Sequence, residues 1–174
     1  MSTRFSYRLR IDELNGQNPM QGNDALKQQT RLAMHGCIIL FLGLAAGIGF
    51  SYAAAVGSNT SQLYGSWKFA HMEGITNGLV VLAVASFWHR MNVSAFQVIA
   101  ARWMLVIGCY CNIIGPIITA LFIGHRVIIP LTPLEYLVVY GFYTPGVIPL
   151  FAFPVFFYQL YKSAQKISRI ENDR

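Results

Sequence analysis

The sequence predicts an all-α integral membrane protein, folded as a bundle of four transmembrane helices. Of its 174 residues, 55% are hydrophobic and only 11% are charged, with a mean hydropathy of +0.45. Soluble domains carry about 25% charged residues. Most of the charges also lie toward the two ends of the chain. An apolar middle between polar tails is typical of a membrane protein.

Four apolar stretches are each long enough to cross a hydrocarbon core of about 30 Å, which takes about 20 helical residues. These spans are residues 32–56, 68–88, 103–124 and 136–161. Polar tails of residues 1–31 and 162–174 complete the chain. The fourth span contains Pro145, Pro149 and Pro154. Prolines are tolerated within a membrane because neighbouring helices can satisfy the backbone carbonyls that lose their hydrogen bonds. We therefore expect this span to be kinked.

The basic residues predict the orientation of the chain. Eleven of the 13 Lys and Arg residues fall in the tails and at the connection between the second and third spans, and only Lys68 and Arg126 fall on the other side. Cytoplasmic segments carry the excess of Lys and Arg, so both termini should be cytoplasmic. Basic residues beside membrane spans indicate topology, and we expect no nucleic-acid partner. The first 30 residues lack the apolar core of a secretory signal.

Four histidines are the obvious metal-binding or proton-carrying side chains. They are His35, His71, His89 and His125. On a helix, His71 shares one face with Gly74 and Gly78. An imidazole followed by bare backbone suits the iron and the flat ring of a macrocycle such as haem. Small residues at this spacing more often serve close helix packing, and the pattern alone leaves both interpretations open.

A second polar face lies on the same span. Glu73 and Asn77 are four residues apart, and polar groups in lipid need partners. The third span adds Asn112, with Tyr110 beside it. We expect the two amides, Tyr110 and His71 to converge on a small, dry pocket inside the bundle. The sequence has no Ser-His-Asp set and no phosphate-binding loop, so hydrolysis by a protein nucleophile is not predicted.

The second span resembles that of styrene oxide isomerase, a family of small four-span bacterial membrane enzymes. The residues that match in register are Trp67, Ala70-His71, Gly74, Asn77-Gly78 and the run from Val81 to Ala85, together with His35-Gly36 in the first span and Asn112 in the third. The resemblance covers spans one to three, and span four by hydropathy. It implies a multi-pass protein of the bacterial inner membrane, and a homotrimer with haem b between adjacent subunits.

The resemblance also implies roles for individual residues. His71 would bind the haem iron, and Trp67, Gly74 and Gly78 would lie against the cofactor. The candidate catalytic residues are Asn77, Asn112 and Tyr110. Asn77 would orient the substrate or donate a hydrogen bond to its developing oxyanion.

The reaction that the family performs is a Meinwald rearrangement of an aryl epoxide. With ferric haem as the Lewis acid, the benzylic C–O bond breaks, a hydride migrates to the resulting cation, and an aldehyde forms. An apolar pocket would exclude water, which would trap the cation as a diol. The implied substrate is therefore a small hydrophobic epoxide that reaches the protein from the lipid bilayer.

Two positions depart from the family pattern. Pro116 stands where the family has a tyrosine in the third span, and Tyr110 lies about 9 Å away along the helix axis. Glu73 stands where the family has a small residue. Either change would signal a different epoxide or a different reaction at the same haem, and the sequence does not identify the substrate.

Two other functions fit the same residues. A membrane b-type cytochrome in quinone-linked electron transfer would pair His71 with His125 and His35 with His89 as haem ligands. A non-enzymatic subunit of a membrane assembly or transporter would need no haem. Ligation of the haem by two histidines would distinguish the cytochrome from the isomerase. The absence of haem would favour the non-enzymatic subunit.

Overall fold

The computed structural model describes residues 19–57, 61–91 and 96–172, and within these ranges it contains helices and no strand. The α-helices are α1 (Pro19–Val56), α2 (Gln62–Phe87), α3 (Phe96–Ile118), α4 (Pro133–Val138) and α5 (Pro149–Asn172). In the described part of the chain, four segments are long and apolar enough to span a membrane: Asn23–Val56, Gln62–Arg90, Phe96–Ile123 and Pro133–Lys166. The prediction of an all-helical chain with four membrane-spanning segments is confirmed. The cytoplasmic location of the termini and the trimer stay predictions.

The first helix begins earlier than the predicted first span. It starts at Pro19, so the later part of the predicted N-terminal tail is helical and continuous with the span. Residues 1–18 of that tail, and the last two residues of the C-terminal tail, lie outside the described residues.

Helices α1 and α2 pack backbone to backbone through glycines. A Cβ atom added to Gly43 would lie 2.5 Å from the carbonyl carbon of Gly74, and one added to Gly78 would lie 2.7 Å from the amide nitrogen of Leu40. Real Cβ atoms do not approach other atoms so closely, so any side chain at these positions would push the helices apart. This is the small-residue packing that membrane helices use in place of a hydrophobic driving force.

The fourth span is broken in the middle. A π-helical turn (Val139–Tyr143) follows α4, and a 3-10 turn (Pro145–Val147) precedes α5. Proline has no backbone N–H, so an α-helix that continues through it loses a backbone hydrogen bond. This accounts for the turn at Pro145. The span packs against α3, where Gly108 leaves room for the ring of Pro149.

The buried core lies where α1, α2, α3 and α5 meet. Its largest side chains include Trp88, Leu105 and Ile113, all fully buried. Many large apolar side chains face outward instead, for example Phe157 at 73% exposure and Ile48 at 75%. In water such a surface would be unstable, but it is expected of helices that face lipid.

Candidate functional site

His71 is held by α1 in the orientation of a metal ligand. Its Nδ1 lies 2.8 Å from the carbonyl oxygen of Gly43, and its ring stacks on Phe50 with centroids 5.9 Å apart. A carbonyl oxygen can only accept a hydrogen bond, so Nδ1 donates the proton and Nε2 keeps a free lone pair. Histidines that bind metals usually donate their other ring nitrogen to a carbonyl or carboxylate in this way.

Two glycines of α1 make room for the aromatic rings of α2. A Cβ atom on Gly47 would lie 2.9 Å from both Cε1 and Nδ1 of His71. A Cβ atom on Gly49 would lie 2.5 Å from the ring of Trp67, one turn earlier on α2. Gly47 and Phe50, both on α1, therefore confine the His71 ring and leave it little freedom to turn.

The glycine strip beside His71 serves helix packing. Gly74 is buried against Gly43, and Gly78 is buried against Leu40. The prediction that these glycines offer a bare surface to a macrocycle is corrected, because α1 already covers that surface. Trp67 also packs onto α1, at Gly49. Of the predicted cofactor-binding residues, His71 is the one whose geometry fits a haem ligand.

The second polar face of α2 holds a carboxylate bonded to an amide. The Nδ2 atom of Asn77 lies 2.8 Å from Oε2 of Glu73 and 2.8 Å from the backbone carbonyl oxygen of Glu73. An amide nitrogen has two hydrogens, and here each has an acceptor. Asn77 thus has no free donor for a substrate oxygen, and the predicted hydrogen bond to an oxyanion does not match this arrangement.

Asn112 of α3 extends this network to the broken fourth span. Its Nδ2 atom lies 3.3 Å from Oδ1 of Asn77 and 3.0 Å from the carbonyl oxygen of Gly146. Gly146 must be glycine, since a Cβ atom there would collide with Oδ1 of Asn112. The structure brings Asn77 and Asn112 together as expected, and it joins three membrane spans through one set of polar side chains.

Tyr110 lies at a different site. Its hydroxyl is 3.2 Å from Nδ1 of His35, and the two rings meet edge to face. Helical residues two apart do not share a face, so Tyr110 points away from the side of α3 that carries Asn112. The prediction of one pocket containing both amides, Tyr110 and His71 is therefore wrong. Tyr110 pairs with His35, the two amides pair with each other, and His71 faces α1.

A different tyrosine lies near the position where the family tyrosine is replaced by Pro116. The ring of Tyr143 would lie 3.1 Å from a Cβ atom on Gly115, next to Pro116. Its hydroxyl is 3.0 Å from Oγ1 of Thr119, and its ring meets Phe69 edge to face. Phe69 and Glu73 are four apart on α2 and share a face. Sequence comparison along α3 missed Tyr143 because it comes from the broken fourth span.

His125 and His89 lie apart from His71, one paired with a carboxylate and the other exposed. Nε2 of His125 lies 3.5 Å from Oε1 of Glu135, and Glu135 also caps α4 through the backbone of Leu131 and Thr132. His89 is exposed in the turn after α2. Among the described residues, no group of three or more His, Cys, Asp or Glu side chains could hold a metal ion.

An apolar recess of about 400 Å³ lies between α2 and α5. Its α2 wall begins at Ala83, about 18 Å along the helix from His71. Most of its lining is phenylalanine and other apolar side chains, with no polar group to orient a ligand. We do not count it as part of the candidate site.

Comparison with known protein families gives a match that covers most of the chain. The family model for styrene oxide isomerase matches residues 28–161, which include His71, the amide network and most of all four spans. No curated protein matches the chain. A family match over this much of the sequence shows membership, and the chain belongs to the styrene oxide isomerase family.

Proposed function

We propose that this protein is a membrane isomerase that converts an aryl epoxide to an aldehyde, with haem b bound through His71. Family membership supports the reaction type. The observation that carries the haem proposal is the 2.8 Å contact between Nδ1 of His71 and the carbonyl of Gly43, which leaves Nε2 as the metal-binding atom.

Ferric haem b, when bound, supplies a Lewis acid for the epoxide oxygen. The chain's own contribution begins with His71. Gly43 sets its tautomer, Phe50 limits the tilt of its ring, and Gly47 leaves the space that the ring occupies. An imidazole preorganised in this way would cost little reorganisation when it binds the cofactor.

In this proposal, a second copy of the chain completes the site. His71 faces α1, whereas Asn77 faces α3, so one subunit does not present both to the same space. We propose that the His71 side of one subunit faces the Glu73 and Asn77 side of its neighbour in a trimer. His71, Glu73, Asn77 and Asn112 are all only partly buried within the single chain, which leaves them accessible to a neighbouring subunit.

The polar network would form a rigid wall for the substrate. Asn77 and Asn112 have their amide hydrogens engaged, and the isomerisation needs no proton from the protein because a hydride shift completes it. A wall with satisfied donors holds water less readily than one with free donors. That property favours the aldehyde over the diol, which forms when water reaches the cation.

The membrane supplies the substrate in this proposal. An aryl epoxide is small and apolar, so it concentrates in the bilayer beside the lipid-facing side chains of the protein. We propose that the protein resides in the bacterial cytoplasmic membrane with both termini in the cytoplasm, as the distribution of Lys and Arg indicates.

Absorption and EPR spectra of the purified full-length protein test the haem proposal. We expect haem b to copurify, with one axial position that is open or water-bound and that binds added cyanide or imidazole. A six-coordinate, low-spin haem with two histidine ligands would instead favour the b-type cytochrome. Purification without any haem would overturn both and leave a non-enzymatic membrane subunit.

A further inference from the structure

A recess between α1 and α3 carries chemistry that the proposed reaction does not use. Its volume is about 90 Å³. The residues that line it are Arg31, Leu32, His35, Arg102, Trp103 and Val106. We infer that it binds the phosphate group of an anionic phospholipid. This inference is independent of the proposed isomerase activity.

Two cations meet at this recess. Among the described residues, no carboxylate lies within 4.0 Å of Arg31 or Arg102. Nη1 of Arg102 donates to Oε1 of Gln28 at 3.3 Å, and the guanidinium lies over the Trp103 ring, 5.2 Å from its centroid. An arginine has five N–H donors in a planar fork, so Arg102 is fixed in place while most of its donors remain available. Two like charges at one site are stabilised when an anion lies between them.

His35 can add a third donor. Tyr110 lies 3.2 Å from its Nδ1. When Tyr110 donates its hydroxyl proton there, the other ring nitrogen carries a hydrogen that it can donate. The buried side chains of Leu32 and Val106 form an apolar floor. A cationic rim above an apolar floor suits a phosphate ester that continues into a lipid chain.

The depth of the recess favours a lipid over a soluble anion. Arg31 and Arg102 each come immediately before a long apolar run, at Leu32 and at Trp103. Trp103 is 47% exposed, as in the aromatic belts at the level of lipid headgroups. Basic pockets between membrane helices on the cytoplasmic side are typical sites for anionic headgroups.

The size of the recess agrees with a phosphate. Its volume of about 90 Å³ has room for several water-sized groups, and therefore for the few heavy atoms of a phosphate. Sites for drug-sized ligands occupy about 300–1,000 Å³, so this recess is too small for a macrocycle such as haem and suits a compact group. A phosphate group would fit, with the glycerol and acyl chains outside the recess along the lipid-facing surface.

The test measures lipid binding to the full-length protein in detergent by native mass spectrometry. The ligands are phosphatidylglycerol, phosphatidylcholine and glycerol phosphate. We expect Arg31→Gln/Arg102→Gln to weaken phosphatidylglycerol binding about tenfold or more. The control Lys162→Gln/Lys166→Gln removes the same charge from exposed positions on α5, outside the recess, and should bind within twofold of the wild type.

Three results would overturn the inference. The first is an equal loss of binding in the lysine control, which would indicate general surface charge. The second is equal binding of phosphatidylcholine, and the third is equally tight binding of glycerol phosphate, which would indicate a free-phosphate site.

If the double variant does not fold, Arg31→Gln carries the test, since Arg31 is exposed and its loss should leave the fold intact. We expect about fivefold weaker binding for it, and unchanged binding would also overturn the inference.

Discussion

The Nδ2 atom of Asn77 lies 2.8 Å from a carboxylate oxygen of Glu73, inside a membrane span. Ionisable groups within membrane spans usually pair with a charge or a polar group and mark functional sites. Here the carboxylate is bonded to an amide that is itself bonded to Asn112 of the next span. This relationship gives Glu73 a structural task, which is to fix the orientation of Asn77.

The first prediction concerns that task. A glutamine at position 73 keeps a side-chain oxygen that can accept from Asn77, whereas a leucine leaves one of the two Asn77 amide hydrogens without an acceptor. We expect Glu73→Gln to keep turnover within a few-fold of the wild type. Glu73→Leu should lower the free energy of unfolding by about 1–3 kcal/mol and reduce turnover further. Thermal unfolding and epoxide turnover of the two variants measure this, and equal behaviour of Gln and Leu would remove Glu73 from the positioning role.

Asn77 itself gives the second prediction. Asn77→Ala removes the link between Glu73 and Asn112, and we expect haem content to remain while isomerisation slows about tenfold, or about 1.4 kcal/mol in the barrier. The control is Tyr110→Phe, which removes a hydroxyl that contacts His35 and not the amide network. Its turnover should stay near that of the wild type. Unchanged turnover in Asn77→Ala would make the network purely structural.

A third prediction rests on the space that Gly47 leaves for His71. A Cβ atom at Gly47 would lie 2.9 Å from the imidazole, so Gly47→Ala should displace the ring and weaken haem binding about tenfold or more. Gly65→Ala is the matched control, because a Cβ atom on Gly65 has no atom within 4 Å. That control should keep its haem and gain about 0.5–1 kcal/mol of stability from higher helix propensity. Equal haem content in the two alanine variants would contradict the placement of the ligand.

The fourth prediction compares all four histidines. We expect His71→Ala to abolish haem binding, and His35→Ala, His89→Ala and His125→Ala to retain it. The physical reason is that His35 and His125 have partners of their own, Tyr110 and Glu135, and His89 is exposed in a turn. Haem content by pyridine haemochrome measures the outcome. Loss of haem in a second variant of the four would indicate bis-histidine ligation.

Much of the fold follows from the sequence because a bilayer imposes strong constraints. Every backbone polar group in lipid must be satisfied within a helix, so long apolar runs predict spans reliably. The prolines of the fourth span likewise predict its irregular middle, since each removes a backbone donor. The start of α1 at Pro19 was not predictable from hydropathy, because a helix can continue into water beyond the membrane.

The candidate site was less predictable because it depends on which helix faces which. Helical periodicity separates His71 from Asn77, but it does not say that α1 covers Gly74 and Gly78. Nor does it say that Tyr110 turns toward His35 while Asn112 turns toward Asn77. Tertiary packing decides these contacts. The interaction of Glu73 with Asn77 follows from their spacing of four residues on one helix.

Aldehyde formation from styrene oxide by the purified, haem-containing protein tests the central claim most directly. Gas chromatography distinguishes the aldehyde from the diol that water would give. We predict that the wild type produces the aldehyde with little diol, and that His71→Ala produces none above the buffer background. Haem-containing wild-type protein that forms no aldehyde from styrene oxide or from other aryl epoxides would contradict the account.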